Sequence, residues 1–140
     1  MKSYKRILTL TMLALMLFAL AVPAFAEENA VMPRYNNLTF TNEKFVISDD
    51  GLAMINYICE GYQGVTTRIV VTVKLQKQFW WWWNDVNGAS WTYETTNYCC
   101  DKTDTYQLSN TGTYKAIITY NVYGTGGEAD VITRELEYEY

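Results

Sequence analysis

Histidine is absent from all 140 residues of this chain. Without an imidazole there is no Ser-His-Asp or Cys-His catalysis, no His-ligated zinc and no side-chain proton shuttle tuned near neutral pH. Proline is scarce: Pro23 and Pro33 are the two present, and both precede the first strand-like segment. No helical apolar stripe follows residue 26. No glycine-rich loop joins a strand to a helix as a phosphate cradle does, since Gly124-Thr125-Gly126-Gly127 reads as a hairpin turn. Basic charge is short as well, with 11 Lys and Arg against 15 Asp and Glu. A nucleic-acid binder needs a basic footprint, so that class is excluded, as is electrostatic docking on anionic lipid or anionic wall polymer.

Residues 1–26 are where the sequence departs from this polar, strand-like character. Lys2, Lys5 and Arg6 form a basic head, an apolar run spans Ile7 to Val22, and Ala24-Phe25-Ala26 supplies the small-x-small pattern of a cleavage site. The expectation is a cleaved signal peptide and a secreted, extracellular protein beginning at Glu27. Such a product has 114 residues, with 8 basic against 15 acidic side chains, a net charge of −7. No cysteine closes the apolar run to take a lipid, and no later segment reaches the roughly 20 apolar residues a membrane span needs. A short lead-in over 27–36 and one domain over 37–140 are expected, large enough to bury a core without a metal or cofactor.

That domain reads as strands throughout. Leu38 and Phe40 alternate on one parity, Phe45 and Ile47 on the other, so a one-residue slip is placed near Asn42-Glu43. Asp49-Asp50-Gly51 is a turn, and Ala53, Ile55, Tyr57 and Cys59 then share one face. Thr67 to Lys77 alternates most regularly, with Ile69, Val71, Val73 and Leu75 inward. A Trp-rich segment over 79–86, an Asn87-Gly88 turn and a strand over 90–97 come next. Tyr106 and Leu108, the run from Tyr114 to Val122, and the run from Ile132 to Tyr140 complete seven to nine strands. An antiparallel β-sandwich is the expected fold.

Asn110-Thr111-Gly112-Thr113-Tyr114-Lys115-Ala116 resembles the tyrosine corner of immunoglobulin-like domains, in which a Tyr opens the sixth strand and its hydroxyl bonds back to nearby backbone. Ala116 stands where the second framework Cys falls in such domains, and Ile55, 61 residues earlier, stands near the first. An apolar pair would replace the usual inter-sheet bridge, and Val71 or Val73 the framework Trp. Over nearly the whole secreted part the chain is also similar to a family of small secreted proteins of Gram-positive bacteria with an immunoglobulin-like fold. Arg34-Tyr35-Asn36-Asn37, Lys74-Leu75-Gln76-Lys77, the Trp-rich stretch, and Tyr114-Lys115-Ala116 running on to Asn121-Val122-Tyr123 carry that similarity. The family has no assigned activity, so the resemblance implies a fold and an export route and no catalytic residue.

The three cysteines, Cys59, Cys99 and Cys100, leave several states open. Cys59 could bridge to Cys99 or Cys100, closing a loop of about 40 residues worth about 4 kcal/mol in the chain-entropy model. A bridge between chains, or simple burial of Cys59 as a small apolar residue, is equally compatible.

Carboxylate pairs for a glycosidase could be drawn from Asp49, Asp50, Asp101, Asp104, Glu128 and Asp130, but each is expected in a turn or solvated stretch. Asp101 and Asp104 fall short of a full calcium-loop pattern. Asn37-Leu38-Thr39 is a formal glycosylation sequon, idle in a bacterial protein. The reading is a protein without catalytic residues, metal or cofactor.

Trp80-Trp81-Trp82-Trp83 is the feature that asks for a function. Strand alternation predicts two indoles inward on the core and two outward, the latter joining Phe79 and Trp91 in an exposed aromatic strip. That strip points to a secreted, non-catalytic binding module for cell-wall carbohydrate or another surface protein. The alternative is an antimicrobial or membrane-active protein whose indoles seek the bilayer interface, against which the acidic balance counts.

Overall fold

The computed structural model describes residues 34–140; the expected signal peptide and most of the lead-in lie outside the described residues. Seven strands run in chain order: β1 Leu38–Ile47, β2 Leu52–Gly61, β3 Thr66–Phe79, β4 Trp82–Thr95, β5 Cys99–Gln107, β6 Thr113–Gly124 and β7 Asp130–Glu139. They form two antiparallel sheets, one ordered β1-β2-β5 and the other β4-β3-β6-β7. This is the expected all-β, immunoglobulin-like sandwich, and the described residues contain no helix.

The core follows from alternation. Ala53, Ile55, Tyr57 and Cys59 of β2 face Ile69, Val71, Val73 and Leu75 of β3 and Ala116, Ile118, Tyr120 and Val122 of β6, all buried. Burying an aliphatic side chain the size of Ile or Leu stabilises by about 1.5–3 kcal/mol, and Ile55 and Ala116, the expected framework positions, are both fully buried. The Tyr114 hydroxyl donates to the Asn110 carbonyl at 2.6 Å, completing the tyrosine corner.

The register slip in β1 sits earlier than the alternation suggests. Leu38 pairs with Gly61 and Phe40 with Glu60, so the bulge is at Thr39, and the strand is continuous through Asn42-Glu43. Leu38 therefore enters the core while Phe40 is turned to solvent.

The lead-in is tied down at its end. Asp130, expected in a solvated turn, is buried and accepts the backbone N–H groups of Asn36 at 3.0 Å, Asn37 at 2.6 Å and Leu38 at 3.0 Å. Asn37 is fully buried; its amide donates to the Glu128 carbonyl at 2.9 Å and accepts from Gly126 N–H at 3.1 Å. A sequon whose asparagine is spent this way cannot carry a glycan in the folded state. Gly126 is required there, because a Cβ would lie 2.1 Å from the Asn36 carbonyl oxygen.

Candidate functional site

The tryptophan run is a hairpin turn, not a strand. Phe79 pairs with Trp82, Gln78 with Trp83, Lys77 with Asn84 and Gln76 with Asp85, which leaves Trp80 and Trp81 as a two-residue connection. Trp80 has φ of 60°, the one non-glycine residue with positive φ among those described. Positive φ at the first central residue only is the sign pattern of a type II′ turn, where glycine is the usual occupant. A bulky side chain held there costs on the order of 1–3 kcal/mol, and such strain collects at binding sites.

The expectation of two indoles packed on the core is therefore overturned. Trp80, Trp81 and Trp82 are 73%, 70% and 50% exposed, and Phe79 is 57% exposed. Phe79 continues the inward parity of β3, but at Gln78 and Phe79 the strand pairs with β4 alone, since its last β6 partner is Tyr114 opposite Lys77. The hairpin outruns its neighbours there. The rings instead pack on one another edge to face, Trp80 against Trp81 at 5.6 Å and Trp81 against Trp82 at 4.8 Å.

Trp83 and Trp91 separate from this tip. Trp83 is half-buried on the outer sheet face, its ring 4.4 Å from the Lys115 ammonium, which also pairs with Glu135 at 2.8 Å and Glu137 at 3.2 Å. The Glu135 hydrogen bond, more than the other neighbours, raises the Lys115 pKa. Trp91 packs partly buried against the core, edge-on to Tyr106 at 6.5 Å, and does not join the exposed rings.

The Asn87-Gly88 signal marks a bulge inside β4 and not a turn between strands. Between the Gln76–Asp85 and Lys74–Ser90 pairs, Leu75 faces the four residues Val86 to Ala89, with Gly88 at φ of 79°. The Tyr106 hydroxyl donates to the Asn87 carbonyl at 2.9 Å and fixes this bulge to β5.

Hairpin, bulge and tyrosine corner line an open pocket of about 360 Å³. Phe79, Tyr106 and Tyr114 give it aromatic walls, and Asn84, Asp85 and Asn110 give it amide and carboxylate groups. Its size is at the lower end of the roughly 300–1,000 Å³ usual for small-molecule sites. These polar residues escape a sequence reading because nothing local brings Asn84 beside Asn110. No protein-family model and no curated protein matches this chain.

The carboxylates do not converge. Asp101 and Asp104 sit on β5 with opposite parity, so they project to opposite faces and cannot share a cation. Asp104 accepts from the Tyr57 hydroxyl at 3.1 Å, and burial raises its pKa. Asp101 accepts from the Asn56 amide at 3.3 Å. Asp50 accepts from the Ser48 hydroxyl, which lowers its pKa. Among the described residues no group of three or more Cys, Asp or Glu side chains is placed to hold a metal ion.

Proposed function

We propose that this protein is a secreted, non-catalytic binding module that takes its ligand on the Phe79–Trp82 hairpin and in the pocket behind it. The observation that carries this reading is the exposure of Trp80, Trp81 and Trp82 as one contiguous aromatic cluster on a rigid sandwich. A soluble domain gains nothing in stability from rings left in water, and exposed apolar patches mark interaction sites. Export is supported by the basic head, apolar run and Ala24-Phe25-Ala26 pattern.

Carbohydrate is the favoured ligand class. Aromatic faces stack on the apolar faces of sugar rings, and the adjoining amides and carboxylate of Asn84, Asp85 and Asn110 suit hydroxyl groups. A surface protein is the other ligand such a Trp- and Tyr-rich site fits. The protruding turn favours one further reading, insertion of the indoles at a bilayer interface.

The test is co-sedimentation and Trp-fluorescence titration of the secreted form with purified peptidoglycan and wall polysaccharide. Saturable binding is expected, weakened at least about tenfold, or about 1.4 kcal/mol, by Trp81→Ala with Trp82→Ala. Polysaccharide binding that is unchanged in that double variant sinks the aromatic-tip reading. Binding to zwitterionic vesicles with none to polysaccharide would select the interfacial reading instead.

A further inference from the structure

Cys59 and Cys100 are direct cross-strand partners on β2 and β5, while Cys99 pairs with Glu60. Alternation turns Cys59 and Cys100 into the core, where both are buried, and leaves Cys99 exposed on the other face. The ladder's phase is fixed at both ends: Gly61 N–H donates to the Tyr98 carbonyl at 2.7 Å and Leu108 N–H to the Gly51 carbonyl at 2.9 Å. Counting in steps of two from either end makes Cys59–Cys100 a hydrogen-bonded pair. Such pairs hold their Cα atoms about 5.5 Å apart, inside the Cα range of disulfides, with Cβ atoms wider than in non-hydrogen-bonded pairs, so closure draws β5 towards β2. The two thiols are near enough in the core for the Cys59 thiol to lower the pKa of Cys100.

We propose that Cys59 and Cys100 are a modification site, closing to a cross-strand disulfide by exchange with a small-molecule or oxidoreductase disulfide and leaving Cys99 as the free thiol. The sequence leaves the partner of Cys59 open; the register and the facing of the side chains decide it. In the exchange, the Cys100 thiolate attacks one sulfur of the incoming disulfide and expels a first thiolate. The Cys59 thiolate then attacks the Cys100 sulfur and expels the second. Two protein thiols are oxidised, one disulfide is reduced to two thiols, and the protons lost by the cysteines end on those thiols. Cys100 is suited to the first attack, because the Cys59 S–H stabilises its thiolate and lowers its pKa. Access is through β5, an edge strand of its sheet, which can open without parting β1 from β2.

The experiment uses the reduced full chain, incubated with glutathione disulfide, alkylated with iodoacetamide and mapped by fragmentation mass spectrometry. One alkylated cysteine, Cys99, and a Cys59–Cys100 crosslink are expected. Cys99→Ser should form the same bridge. Cys100→Ser should form none within the chain, although Cys59 and Cys99 both remain. Because Cys99 is exposed, its replacement leaves the core intact, so failure there is not a folding failure. A crosslink to Cys99, or three alkylated cysteines after incubation, overturns the proposal.

Discussion

Replacing Trp80 by glycine, and separately by alanine, distinguishes a strained turn from an ordinary one. Both changes remove the indole and its contact with Trp81, so those losses cancel in the comparison. What remains is the backbone at φ of 60°. Left-handed geometry costs a residue with a Cβ about 1–2 kcal/mol, whereas glycine forfeits about 0.5–1 kcal/mol of chain entropy relative to alanine. Trp80→Gly should therefore be more stable than Trp80→Ala by about 0.5–1 kcal/mol, or about 2–4 °C in melting temperature for a domain of this size. At Trp82, in β4 and without positive φ, the order should invert, with alanine the more stable. Urea denaturation of the four variants checks this. Equal stability of the two Trp80 variants, or alanine ahead of glycine, would refute the strained turn and with it the hairpin register. Ligand binding should fall in both Trp80 variants, since neither keeps the ring, so stability and binding would change independently at one position.

Asp130→Ala should cost about 3 kcal/mol in urea unfolding, because it strands the N–H groups of Asn36, Asn37 and Leu38, while Glu128→Ala nearby, an exposed side chain, should stay within about 0.5 kcal/mol. Tyr114→Phe, which keeps the ring and deletes the bond to Asn110, should cost about 1–1.5 kcal/mol by the same measurement. Alkaline pH should destabilise the fold through Tyr57 and Tyr120. Burial pushes both phenols up, seconded by Asp104 for Tyr57 and by Glu43 for Tyr120. With folded values above the unfolded one, their contribution is complete below about pH 10 and falls above it, at a limiting slope of about 1.4 kcal/mol per pH unit for each. Among the described residues the Tyr120 hydroxyl has no hydrogen-bond partner, so Tyr120→Phe should leave stability at pH 7 unchanged or higher and flatten the alkaline limb in pH-dependent unfolding.

The sandwich was legible because its central strands obey one rule over long stretches. Ile69, Val71, Val73 and Leu75 alternate with polar residues, as do Tyr114, Ala116, Ile118, Tyr120 and Val122, and a period of two admits one solution once a face is buried. The tyrosine corner was legible for a similar reason, since its partners lie within five residues. Asp130 was not, because the three amides that it accepts come from the far end of the domain. In isolation an Asp after a glycine-rich turn reads as solvated. The facing of the cysteines was half legible: alternation puts adjacent residues on opposite faces, but only the β2–β5 register says which one meets Cys59.

The tryptophan run shows where the alternation rule stops. Trp has high strand propensity, and Asn87-Gly88 a few residues on is a far stronger hairpin signal. Both cues are local, and both yield to the pairing of Gln76 with Asp85, which centres the turn on Trp80-Trp81 and leaves Asn87-Gly88 to form the bulge. Even with the turn placed, alternation would send Phe79 inward. It does point that way, but an inward direction buries a side chain only where a second sheet lies opposite. Past Lys77 the hairpin has lost β6 as a neighbour, and Phe79 faces the open cavity instead of a packed core. A domain that carries its densest aromatic sequence beyond its own core exposes an aggregation-prone patch and strains a turn to hold it. Neither cost is offset by folding, and contact with the proposed ligand is what would compensate them.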